Sequence, residues 1–131
     1  MKKLLHQPDL GMFIFRAFIG LTMAFAHGLG KVPPPEGLVA GVTAMGFPAP
    51  LFFAWSASLA ELLGGILITL GLFTRPAALF LGFTMLVAAL GAHGADPFQK
   101  QELSLLYLAA CVLFIFSGAG SLSLDRLIRK K

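Results

Sequence analysis

Cysteine, charge and the polar aromatics are all scarce in this sequence. Its one cysteine, Cys111, lies in an apolar run, so neither an internal disulfide nor a cysteine-based metal cluster can form. A small buried apolar role is the ordinary reading of such a residue. There is one tryptophan and one tyrosine, and charged residues make up 12% of 131 positions, against roughly 25% in soluble domains. That deficit excludes an ordinary soluble domain. Period-two alternation is missing from the apolar runs, which excludes a membrane barrel. The chain also lacks a flavin or nucleotide loop, a haem-ligand layout and paired cysteines for thiol exchange. It has no internal repeat or low-complexity segment.

Apolar residues are present in excess, at 57% with a mean hydropathy of +0.85. Four stretches approach the roughly 20 residues needed to cross a bilayer. They cover about 10–28, 51–72, 76–93 and 103–118, separated by "GKVPPPEG", "MGFPAP", "TRP" and "GADPFQKQ" and closed by "SGAGSLSLD". The pattern predicts an all-α integral membrane four-helix bundle, a single transmembrane domain over 1–131. In the first connection, Leu38, Val42 and Met45 share a helical face, which predicts a short extra helix there. Pro76 suits the first turn of the third helix, and Trp55 suits an interfacial anchor.

Lys2, Lys3, Arg75, Arg126, Arg129, Lys130 and Lys131 flank one side of these spans, against Lys31 and Lys100 on the other. The positive-inside rule then places both termini in the cytoplasm. This asymmetry accounts for the net charge of +4. The basic residues are a topology signal without base-stacking aromatics, so no nucleic-acid partner is expected. Lys2 and Lys3 before an apolar run, with "AFA" at 24–26, imitate a secretory signal, but Arg16 interrupts the apolar core that such a peptide needs.

Two charges fall inside the spans. Arg16 lies about 10 Å in from the start of the first, and Glu61 about 15 Å from the end of the second. A hydrogen-bonded pair facing the bundle interior is more tolerable than either charge alone, so Arg16 is expected to meet Glu61 as the floor of a polar cleft. Such a pair could equally be a packing clamp or part of a ligand site. Ala57, Glu61 and Gly65 form a stripe that lets a neighbouring helix approach. Arg16, Gly20, Ala24 and His27 share one helix face. Near the outer end stand His27, His93 and Glu102, with Lys31 and Asp96 in the adjoining loops. Their spacing is not a local metal motif, and no metal site is assigned. On the fourth helix Tyr107 and Ser104 lie nearly opposite Glu102, which puts Tyr107 on the interior and Glu102 toward the loop. The candidate ligand-binding set is therefore Arg16, His27, Lys31, Glu61, His93, Glu102 and Tyr107, with no catalytic residue assigned.

The ordered set "RAFIG", "HGLGK", "AMGFPAP", "AELLGGILITLGLFTR", a histidine ending the third span, and "GAGSLSLD" resembles the DoxX family over nearly the whole chain. The resemblance implies a small four-helix bacterial inner-membrane protein. It also implies an association with quinol oxidation and thiosulfate:quinone oxidoreduction, or with thiol-oxidative-stress complexes. The positions carried over are Arg16, Gly28, Lys31, Glu61, Gly65, Arg75, His93 and Asp125. With no covalent cofactor expected, the chain is read as an accessory subunit rather than a stand-alone catalyst. It would bind a quinone or other lipophilic ligand beside a redox-enzyme partner. Two alternatives stay open: a scaffold or assembly factor without its own ligand, and small-solute transport by a homo-oligomer.

Overall fold

The computed structural model describes residues 2–130; the structure is 80% helical, without strands among the described residues. After a single turn, α1 (Lys2–Leu5), the first long helix is α2 (Pro8–Lys31), whose later part changes to π-helix over Thr22–Gly28 and to a 3-10 turn over Leu29–Lys31. The connection that follows contains the short helix α3 (Glu36–Ala44). The remaining long helices are α4 (Pro50–Leu70), α5 (Thr74–Ala92, with its last turn π-helical) and α6 (Phe98–Ser117), and α7 (Leu124–Arg129) closes the chain. Four of these helices are long and apolar enough to span a membrane.

Proline and glycine set the boundaries. Pro8 and Pro50 occupy first-turn positions, where the missing amide hydrogen has no intrahelical partner to lose. Gly71 ends α4 at φ +67, a left-handed value natural to glycine. A Cβ there would also meet Ser123 Cβ at 2.5 Å and Arg16 Nη1 at 2.8 Å, so the position excludes a side chain on two counts.

The bundle is apolar outside and selectively polar within. Phe18, Phe80, Phe83, Leu106 and Phe116 are exposed on its flanks, while Arg16, Ser58, Glu61 and Thr74 are buried. For a protein in water that distribution would be inverted; in a bilayer it puts hydrocarbon against hydrocarbon. The core comprises Met23, Ile68, Leu81, Met85, Tyr107, Cys111 and Phe114 with interleaved alanines. Helices α2 and α4 pack backbone to backbone, since a Cβ on Gly65 would meet Ala24 N and Gly20 O, each at 2.7 Å. The small-residue stripe thus sets how deeply Glu61 is enclosed.

Arg16 does not meet Glu61. Its guanidinium, wholly buried, donates instead to four backbone carbonyls: Nε to Ala119 at 3.1 Å, Nη1 to Ile68 at 2.7 Å and to Thr69, and Nη2 to Leu122 at 2.6 Å. Ile68 and Thr69 belong to the last turn of α4, at the negative end of the helix dipole, and Ile68 O also accepts from Gly71 N at 3.1 Å. The expectation of an Arg16–Glu61 pair failed because helical side chains lean toward their own N-terminus. On antiparallel α2 and α4, Arg16 and Glu61 lean away from each other.

An intramembrane polar site between two cavities

That same lean brings Lys31 and Glu61 together. Lys31, at the C-terminal end of α2, reaches back into the bundle while Glu61 reaches toward it. Lys31 Nζ lies 3.0 Å from Glu61 Oε1 and 2.9 Å from Oε2. The carboxylate side chain is 5% exposed and the lysine 36%, so the pair is buried at one end and reaches water at the other. Oε2 is buried, and the Lys31 ammonium beside it is not aligned for a hydrogen bond in good geometry. Gly28 enables this placement: a Cβ on it would meet the backbone of Leu62 at 2.5 Å and Glu61 C at 2.8 Å. The π-helical stretch from Thr22 to Gly28 lets α2 press its backbone against α4 beside the carboxylate. Such local widening of a helix is frequent at functional sites.

Two cavities share this pair. The smaller, about 180 Å³, is polar and is lined by His27, Lys31, Glu61, His93, Lys100, Ser104 and Tyr107, with Met23, Met85 and Leu103 closing its apolar sides. The edge of one ring meets the face of the other in the His27–Tyr107 pair, centroids 5.6 Å apart. The Tyr107 hydroxyl donates to Thr22 Oγ1 at 2.9 Å, which holds α6 to the π-helical turn of α2. His93 Nδ1 stands 2.9 Å from Asp96 Oδ2. An ionised carboxylate can only accept, so Nδ1 is the donor and Nε2 is left for another partner.

The larger cavity, about 400 Å³, is apolar and lies under α3 between α4 and α5. Leu38, Val42, Met45, Phe53, Phe83 and Val87 form its walls, and Lys31, Glu61, Ala88 and His93 line it as well as the polar cavity. The short helix expected in the first connection therefore turns its apolar residues onto this cleft.

Of the candidate residues, the structure gathers His27, Lys31, Glu61, His93 and Tyr107 around the polar cavity. Arg16 stands apart at the other end of the bundle, and Glu102 is exposed outside both cavities. Lys100 and Ser104 line the cavity without having been candidates. One signal was readable for the Lys31–Glu61 contact: the α2 face of Arg16, Gly20, Ala24 and His27 continues four residues on to Lys31 if the helix does not stop at Gly28. Among the described residues no cluster of histidine, cysteine and carboxylate side chains could hold a metal ion.

Of the carried-over positions, Arg16, Arg75 and Asp125 lie at the end where the termini lie. Asp125 accepts from Phe73 N at 2.8 Å and Thr74 N at 3.0 Å, capping α5, and its own backbone N–H donates to Gly71 O at 2.8 Å. Partial burial pushes the Asp125 carboxyl up, but the hydrogen bonds from Thr74 and Phe73, with Arg129 nearby, outweigh it and hold the group below the ordinary carboxylate range. Arg75 is exposed, with its guanidinium close to Gly118.

A family model described as DoxX matches residues 11–94, which include Arg16, His27, Lys31, Glu61 and His93. The chain belongs to the DoxX family. Among curated DoxX-like relatives, an uncharacterized protein of Haemophilus influenzae is 37% identical, covering 89% of this chain and 92% of its own length. The inner membrane protein YqjF of Escherichia coli is 34% identical over the full chain and 99% of its own length. A Bacillus subtilis protein named "Putative oxidoreductase CatD" is 28% identical, covering 93% and 90%. No solved structure matches the chain significantly. With four spanning helices and inner-membrane relatives, this DoxX protein is a multi-pass inner-membrane protein.

Proposed function

We propose that the protein binds a quinone, head group in the polar cavity and isoprenoid tail in the apolar cleft, as an accessory membrane subunit of a quinone-linked or thiol-stress redox system. The observation that carries this reading is the junction of the two cavities through Lys31, Glu61, Ala88 and His93. The apolar cleft falls within the roughly 300–1,000 Å³ usual for ligand sites, and the smaller polar cavity extends it. An amphiphile needs an apolar channel that ends in a few fixed polar groups, and the Lys31 ammonium and the His93 ring suit carbonyl oxygens, while the Glu61 carboxylate suits a hydroxyl. The oxidoreductase name of the Bacillus subtilis relative supports a redox link.

The test is binding of a short-tailed ubiquinone or menaquinone to protein in nanodiscs, for wild type, Glu61→Gln and Lys31→Met. Saturable binding that both substitutions weaken about tenfold is expected, the loss of one charge-assisted hydrogen bond. Absence of binding by wild type overturns the reading and favours the scaffold role.

In this reading both termini are cytoplasmic and the cavities open toward the outer face. Lys3, Arg75, Arg126, Arg129 and Lys130 lie at the terminal end, with Lys31 and Lys100 at the other. Lys131 and the side chain of Lys2, counted in the sequence asymmetry, are outside the described residues. A cysteine replacing exposed Glu36 should react with an impermeant reagent from the periplasmic side, while buried Cys111 stays silent. Labelling only after the inner face is opened reverses the orientation.

A further inference from the structure

At the terminal end a third cavity, about 590 Å³ and open, is lined by Asp9, Ser117, Gly120, Ser121, Ser123, Asp125, Arg126, Arg129 and Lys130. Its charges are not symmetrically available. Asp9 Oδ1 accepts from Ser121 N at 3.3 Å, and both oxygens of Asp125 accept from the start of α5. The carboxylates are thus turned onto the backbone. By contrast, Arg126, Arg129 and Lys130 form no ion pair within 4.0 Å and no side-chain hydrogen bond among the described residues. Arginine's planar fork matches a phosphate better than any other side chain does.

Apolar surface borders the cavity. Leu127 and Ile128 are exposed on α7, and Phe116, the neighbour of lining Ser117, is 80% exposed. Cations beside such a surface at the end of a spanning bundle stand where lipid headgroups give way to acyl chains.

We propose that this groove is a binding site for the phosphodiester headgroup of an anionic phospholipid, held by Arg126 and Arg129 with Lys130 at its edge. The bound lipid would bridge α7 to the bundle. That segment also supplies the Ser123 and Asp125 contacts and, through Leu122 O, one acceptor for Arg16. Lipid occupancy therefore stabilises the closed end of the protein without touching the quinone site.

The test is native mass spectrometry and thermal unfolding of delipidated protein in detergent, with phosphatidylglycerol, phosphatidylcholine or inorganic phosphate added. Wild type should retain phosphatidylglycerol over phosphatidylcholine and melt at a higher temperature with it. The Arg126→Gln/Arg129→Gln variant should lose roughly 30-fold in retention, at about a tenfold step per 1.4 kcal/mol and about 1 kcal/mol for each basic residue near an anionic headgroup. Arg126→Lys/Arg129→Lys, which keeps the charge without the fork, should fall between them and guards against a folding defect. Equal retention of the two lipids, or no change in either variant, overturns the proposal. A melting shift given equally by inorganic phosphate would make the site one for free anions and overturns the lipid assignment.

Discussion

At the terminal end of the bundle Arg16 directs its guanidinium onto four backbone carbonyls, whereas at the opposite end Lys31 and Glu61 pair across the wall of a cavity. Both ends bury charge. In the first, carbonyls at the end of α4 and in the chain after α6 take up the cation, and the neighbouring Asp125 gives two acceptors to the start of α5. These groups complete one another's hydrogen bonding and hold helix ends together. In the second, the pair is only part-enclosed, one carboxylate oxygen has no well-aligned donor, and π-helical turns replace regular helix on α2 and α5. Polar groups with spare valence beside space are what a ligand site needs. The difference separates a charge whose hydrogen bonding is completed within the fold from one whose hydrogen bonding is not.

Breaking the closed end should cost most. Arg16→Met should take the side-chain donor from the Thr69, Ala119 and Leu122 carbonyls, while Ile68 O keeps Gly71 N, a loss of about 3 kcal/mol or more at roughly 1–3 kcal/mol for each poorly resatisfied buried group. Thermal unfolding in nanodiscs reads it, and a midpoint within a degree or two of wild type would show that water replaces the guanidinium. Gly71→Ala should come next at about 2–3 kcal/mol, since it adds left-handed strain to a clash with Ser123 and Arg16. The same thermal unfolding measurement reads it.

The open end should respond more weakly in stability and more strongly in binding. A double-mutant cycle on Lys31→Met and Glu61→Gln should give a coupling of about 1–2 kcal/mol, below the 3–5 of a dry pair because the lysine reaches water. The same cycle on Arg16 and Glu61 should be additive within about 0.5 kcal/mol. Coupling there and none between Lys31 and Glu61 would reverse the assignment of the two ends. The smallest effect concerns pH. Asp125 has a depressed carboxyl, so its contribution is present above the unfolded value of about 3.9 and is lost as pH falls through the lower folded value. Asp125→Asn should flatten that acid limb of the melting curve, and an unchanged limb would place the titration elsewhere.

Much of this contrast was legible in the residues. The presence of four spanning helices followed from hydropathy, and the Gly65 stripe foretold the close approach of α2 to α4 through the absence of side-chain bulk. Glu61 and Tyr107 were recognisable because polar groups in hydrocarbon are costly and so face inward, and His27, Lys31 and His93 because they cluster near one end of the spans. Arg16 misled for the same reason. A buried cation suggests a carboxylate partner, but its acceptors here are main-chain oxygens, which every residue carries and no sequence pattern marks. Glu102 sits on the exposed face because α6 begins at Phe98 and turns Ser104 and Tyr107 to the cavity.

The sequence by itself determined that this chain is four apolar helices with a charge bias between their ends, because bilayer thickness and the desolvation of peptide groups leave few other solutions for such a composition. Which buried charge meets which group was decided only by tertiary structure. Antiparallel packing sends side chains on neighbouring helices in opposite directions, and the π-helical turn at Thr22–Gly28 brings Lys31 to Glu61 while the return of the chain after α6 brings carbonyls to Arg16.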